Sequence, residues 1–260
     1  MYNGLHIGKT GMRSSQYVMD NVADQLANNA SVGYKGRVVR FNELLLNEVN
    51  DRHVVLSENA QDTAINAGSK ATVSKTNFTQ GVITPSEGAM HLAIEGRGFF
   101  GVTGPEGELM LSRNGEFHIN EDKSISDRNG NPIAMDLNVP YQEWPDGDAI
   151  SVNSQGQVFG TQEDGNSVQL GTIQLYVPEN TENLMSLGEL YYAQQPGLPL
   201  YNAQDNPELF GQVLQGYTEE SNVDSAQAMV DMIVTQRAYQ ANARSVSTAD
   251  EMLHTINTIL

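Results

Sequence analysis

The chain has 260 residues, no cysteine and a net charge of minus 18, from 14 Lys and Arg against 32 Asp and Glu. That length allows one large domain or two modest ones, while the missing thiols exclude disulfides, a thiolate zinc site and a cysteine nucleophile. The first forty residues carry a net of plus 3 and the other 220 carry minus 21, with no Lys or Arg between Arg128 and Arg237; such a chain repels a phosphate backbone, so nucleic acid is not expected as a partner.

From the amino end, Met1 to Asp20 mixes Asn3, His6, Lys9 and Arg13 among its apolar positions, unlike the continuous apolar run of a secretory signal. Nothing approaches the roughly 20 apolar residues of a spanning helix, so direct membrane insertion is not expected. Residues 1–35 are predicted as an N-terminal helical arm, because Leu5, Met12, Met19 and Leu26 recur every seven residues with Gly8, Ser15, Val22 and Asn29 between them. Only Val22 is apolar in that second register, so the seam is too weak to stand alone. Gly33 is the predicted helix stop.

Residues 36–87 are predicted as a connector, and 88–215 as a β-rich central domain with a trailing connector from 179. Five polar-glycine phrases punctuate the centre, around Gly107, Gly115, Gly130, Gly156 and Gly165. Glycine, Asn and Asp accept the positive φ of tight reversals, so these phrases read as hairpin turns. The flanking runs His91–Ile94, Phe99–Val102, Phe117–Ile119 and Ile173–Val177 read as antiparallel strands.

Residues 216–260 are predicted as a C-terminal helical arm. Ser221 is the predicted N-cap, with Asp224 three positions on. Met232, Tyr239, Val246, Leu253 and Leu260 then recur every seven residues, interleaved with Ala228, Thr235, Asn242, Ala249 and Ile256. A helix of nearly forty residues is roughly 57 Å long, more than a small domain can bury. It must pack along something equally long, and its small and polar seam residues favour completion by neighbouring chains.

Catalytic motifs are weak by comparison. Gly96-Arg97-Gly98-Phe99-Phe100-Gly101 fits a dinucleotide fingerprint by letter, but Phe-Phe-Gly-Val continues as a strand where the chemistry needs a helix N-terminus, so a turn is expected. His6, His53, His91, His118 and His254 are far apart and form no metal-binding pair, although His91 and His118 lie in predicted strands that could bring them face to face. Asp146, Asp148, Glu163, Asp164, Glu219 and Glu220 read as solvated turn carboxylates. No catalytic residue, metal ligand or cofactor is expected.

Three stretches resemble the rod and hook proteins of the bacterial flagellum. Asp24-Gln25-Leu26-Ala27-Asn28-Asn29-Ala30-Ser31-Val32-Gly33-Tyr34-Lys35 is similar to the signature near the family's amino end, with Asp24, Ser31 and Tyr34 as mild departures. Ile94-Glu95-Gly96-Arg97-Gly98-Phe99-Phe100 resembles the start of its β region, which accounts for the false cofactor motif. Glu220–Asp224, Met232–Asn242 and Thr248–Leu253 resemble its C-terminal signature.

The resemblance implies an α+β fold in which an antiparallel β-rich central domain sits between long N- and C-terminal helices that pair as a coiled coil. It implies a structural, non-enzymatic subunit that stacks helically into the torque-transmitting tube of the basal-body rod. The implied partners are the chain itself, other rod and hook subunits and the flagellar export apparatus, which uses no cleaved signal. Length fits the distal-rod branch, with the proximal-rod or hook-basal-body branch as the alternative within the family; outside it, the competing reading is a secreted β-domain binding protein with helical oligomerisation arms. Leu5, Met12, Met19, Val22, Leu26, Met232, Tyr239, Val246, Leu253 and Ile256 are the expected inter-helix packing residues. Asn28, Gly33, Arg237 and Asn242 are expected to set register or turn the chain.

Overall fold

The computed structural model describes residues 2–46, 65–145, 149–161 and 167–259. In chain order these form α1 (Tyr2–Ala27), β1 (Arg37–Leu46), β2 (Ile65–Thr76), β3 (Ile83–Pro85), β4 (Leu92–Glu95), β5 (Phe99–Thr103) and β6 (Leu109–Ser112). Then come β7 (His118–Ile119), β8 (Ile125–Ser126), β9 (Met135–Leu137), β10 (Ile150–Val152), β11 (Gln157–Thr161), β12 (Ser167–Ile173) and β13 (Leu175–Pro178). The last are β14 (Leu184–Gly188), β15 (Tyr191–Gln194), β16 (Leu200–Asn202), β17 (Gln212–Gln215), β18 (Tyr217–Glu219) and α2 (Ser225–Ile259). This is the expected α+β order, a β-rich centre between two terminal helices, and it divides into two compact units.

The first unit takes in Met1–Ala27, Arg37–Asn77 and Asp224–Leu260. Its helices pack against each other through small residues on α1. A β-carbon on Gly8 would stand 2.5 Å from Cγ2 of Val246, and one on Gly11 would stand 2.8 Å from Nδ2 of Asn242, so glycine is what lets the backbones approach. The start of α2 lies later than expected. Asp224, not Ser221, caps it, accepting from the amides of Ala226 at 2.9 Å and Gln227 at 3.1 Å. Ser221 Oγ accepts from Val223 N instead, which closes a local turn before the helix.

The predicted connector 36–87 contains a long antiparallel hairpin, β1 against β2. It is seated on α1. Ser14 Oγ donates to the Ser69 carbonyl at 2.9 Å and accepts from Ala71 N at 3.2 Å, beside a register shift where Leu44 pairs with Gly68. Thr10 fills the space over Gly68 that a side chain would need.

The second unit takes in Asn28–Gly36 and Phe78–Val223. A six-stranded antiparallel sheet runs in the order β14-β15-β6-β5-β13-β16, and a four-stranded one in the order β10-β11-β12-β9. Two-stranded pairs join β4 to β17, β3 to β18 and β7 to β8. The apolar residues of these strands converge on a core holding Leu92, Ile94, Phe100, Phe117, Trp144 and Ile173. Phe100 and Phe117 meet edge to face at 5.1 Å, and the Trp144 indole N–H donates to the Val139 carbonyl at 3.0 Å.

Several sequence expectations change here. The predicted trailing connector holds β14 to β17, because its Gly and Pro residues fall in turns between short strands. The run Ile173–Val177 is split at Gln174 between β12 and β13, which belong to different sheets. Gly107 and Gly156 do close hairpins at positive φ, while Gly130 turns the chain after β8. Gly115 serves close approach instead, since a β-carbon there would lie 1.6 Å from the Leu92 carbonyl oxygen. The Gly165 phrase and Asp146, Asp148, Glu163 and Asp164 lie outside the described residues. Gly96 and Gly98, at φ +110 and +142, turn the chain from β4 into β5, so no helix opens at the would-be nucleotide motif.

Candidate assembly surface

The seven-residue spacing of both helices reappears as a pattern of burial. On α1, Leu5, Met12, Met19 and Leu26 are partly buried, while Gly8, Ser15 and Val22 in the alternate register are buried. On α2, Ala228 and Thr235 are buried, and Met232, Tyr239, Asn242, Val246, Ala249 and Leu253 are partly buried. Asn242 is brought against Gly11 and Val246 against Gly8. Two predicted seam or register residues stand apart from this row: Arg237 and Ile256 are both exposed. Asn28 lies beyond the end of α1, where its carbonyl accepts from Ser31 N at 3.1 Å and closes the turn that leads to Gly33.

A second apolar row on α2 escaped the seven-residue pattern. Met229, Val230, Ile233 and Val234 lie more than half exposed, as does Met252 toward the end of the helix. They fall between the seam positions, so α2 is apolar on two sides while α1 covers one. An i, i+4 search over both registers would have found them. An exposed patch of this kind marks a partner-binding surface more often than chance exposure does.

Within the second unit the three stretches that carry the flagellar resemblance meet at one buried ion cluster. Lys35, from the first, donates to Glu219 Oε1 at 2.5 Å and to the Thr79 carbonyl at 2.9 Å. Arg113 reaches Glu219 Oε2 at 3.1 Å and the carbonyls of Ile94 and Gly96, in the second, at 3.3 and 2.7 Å. Asn222, from the third, accepts from Gly36 N at 2.9 Å and donates to the Thr79 carbonyl at 2.9 Å. The Lys35 side chain is 0% exposed and that of Glu219 1%, which corrects the reading of Glu219 as a solvated carboxylate. Burial pulls the Lys35 ammonium below its ordinary value, against the opposing pull of Glu219. Gly33, at φ +73, donates its amide to the Glu219 carbonyl at 2.7 Å, and a β-carbon on it would lie 2.5 Å from Asn114 N.

The histidines predicted in strands are separately engaged. His91 Nδ1 shares a 2.6 Å hydrogen bond with Ser86 Oγ, and His118 Nε2 lies 3.2 Å from Ser126 Oγ. Among the described residues no group of three His, Asp or Glu side chains could hold a metal ion. No helix among them is long and apolar enough to cross a membrane. Tyr191 is pushed up to about 12 by burial and by donating to Asp127, a buried pair that locks the Asp127–Asn131 turn.

Residues 93–160 match the family described as the flagellar hook protein FlgE/F/G D1 domain, and residues 214–259 match that described as the flagellar basal body rod FlgEFG protein C-terminal. The chain is 32% identical to the flagellar basal-body rod protein FlgG of Buchnera aphidicola subsp. Acyrthosiphon pisum, over 99% of each chain. It is 31% identical to the protein of the same name from Agrobacterium fabrum over 95% of each, and 28% identical to that of Borreliella burgdorferi over 100% of this chain and 99% of the other.

Proposed function

The chain belongs to the family of flagellar hook and basal-body rod proteins and is a structural subunit of the flagellar basal-body rod, and we propose that it builds that rod through coiled-coil pairing of its terminal helices. The observation that carries this reading is the pair of apolar sides on α2. One is turned to α1 through Val246 and Asn242, and the other leaves Met229, Val230, Ile233 and Val234 in solvent. A surface that meets a different surface on the next copy generates an open helical filament when the rotation from copy to copy does not close a ring. Each of those side chains is only a little over half exposed, so covering the rest contributes about 1 kcal/mol apiece, which in sum favours association. Long helices running along such a tube resist twisting and bending, as torque transmission requires.

The subunit works as a scaffold and carries no reaction. Its neighbours are further copies and other rod and hook subunits, and it reaches the basal body through the flagellar export apparatus. Its place is the distal rod. The helices complete their seams only on assembly, so in the free monomer α1 and α2 are partly disordered.

The test is a chain lacking residues 224–260, expressed in cells without the intact protein. Basal bodies imaged from these cells are expected to end before the hook, while the purified truncated protein keeps its β structure. Complete rods and normal motility with the truncated chain would overturn the proposal.

A further inference from the structure

We propose that the Lys35–Glu219–Arg113 cluster is a clamp, formed within the second unit alone, that joins both leads of the hairpin to the lead of α2 before the helices order. The timing rests on the reading of assembly-coupled helices above; the clamp itself rests on the second unit's own contacts. The chain passes between the two units after Ala27, Gly36, Asn77 and Val223. Three of these passages are tied together within two residues of the crossing. Lys35 and Asn222 both donate to the Thr79 carbonyl at 2.9 Å, and Gly36 N donates to Asn222 Oδ1 at 2.9 Å. Asn222 N donates to the Tyr34 carbonyl at 3.4 Å and Gly33 N to the Glu219 carbonyl at 2.7 Å, so residues 33–36 and 219–222 run as a hydrogen-bonded pair. Glu219 Oε1 also accepts from Gly81 N at 2.8 Å.

The chemistry suits a clamp better than an ordinary core. Apolar residues of similar volume would hold this space as well or better, because buried ion pairs add little net stability. What Glu219 adds is direction: two cations and the amide of Gly81 converge on one carboxylate, so each fixes its own segment against Glu219. With these leads held together and α1 only a short segment before Gly33, the effective concentration of α1 for α2 is raised, so each copy's own two helices find each other as they order in the rod.

Hydrogen exchange on the full-length monomer tests this. In the wild type the amides of Gly33, Gly36 and Gly81 are expected to exchange as slowly as Leu92 and Ile133 in the β core. Glu219→Gln is expected to speed the first three about tenfold or more and to leave the core amides within about twofold. Exchange at Gly33, Gly36 and Gly81 as fast as in an unprotected peptide, or a variant that changes them no more than the core, would overturn the clamp. Should Glu219→Gln not fold, Asn222→Ala keeps the charges and is expected to speed Gly36 about tenfold while sparing Leu92; an unchanged Gly36 would equally overturn it. Slow amides throughout α1 and α2 of the monomer would refute assembly-coupled folding instead, and the clamp would still be judged on its own amides.

Discussion

Gly33 occupies a position that only glycine fits, for two independent reasons. Its φ of +73 lies in the left-handed region, and the space where a β-carbon would stand holds the Arg113–Asn114 backbone at 2.5–2.7 Å. Backbone cannot swing aside as a flexible side chain can. Gly33→Ala is therefore expected to lower the stability of the second unit by about 1–3 kcal/mol, read as a drop in its denaturant midpoint. A midpoint unchanged within error would mean the turn relaxes without strain. The sequence expectation made Gly33 a helix stop, but α1 ends six residues earlier, at Ala27; Gly33 instead turns the chain in close contact with Arg113. Glu219 was not legible, because Tyr217-Thr218-Glu219 inverts the usual strand pattern: Tyr217 is 40% exposed while Glu219 is 1% exposed. That inversion depends on Lys35 and Arg113, which arrive from distant parts of the chain.

At the scale of elements, the two helices were the most readable part, since a seven-residue spacing sustained over α2 has no strand equivalent. Its starting point was less so, because Ser221 and Asp224 are both good caps and only the backbone decides between them. Replacing Asp224 with Ala removes the acceptor of two amides and is expected to cost about 1 kcal/mol of helix stability. Circular dichroism on assembled rods during heating checks this, and an unaltered transition would return the cap to Ser221. The hairpin of β1 and β2 was hidden for a different reason. Gly68 breaks the alternation of β2, and its partner is Thr10 of α1, so the strand is defined by a helix far away in sequence. The four strands β14 to β17 were hidden by Gly197, Pro196 and Pro199, whose breaker signals mark a turn between strands as much as the absence of strands.

For the whole molecule, assembly and folding draw on different surfaces. Ile233 is 57% exposed, so Ile233→Glu is expected to leave the monomer within about 0.5 kcal/mol of wild type. The same change puts a charge into the proposed contact between copies, and sedimentation is expected to show rod formation weakened about tenfold or more. Rods formed at the wild-type concentration would remove that side of α2 from the interface. The charge asymmetry has a narrower origin: Lys9 and Arg13 on α1 are balanced by Asp20 and Asp24, so the basic excess of the first forty residues comes from Lys35, Arg37 and Arg40, while the acidic excess lies on the β-rich centre. The first unit is also discontinuous, made of three segments that the second unit interrupts. Seen from the ribosome, this sets a waiting time. At about 5–20 residues per second, α1 emerges roughly 10–40 s before α2 exists, and through that interval Met12, Met19 and Val22 have no mate. A nascent chain of this protein therefore spends most of its synthesis as a client for whatever shields such a stripe.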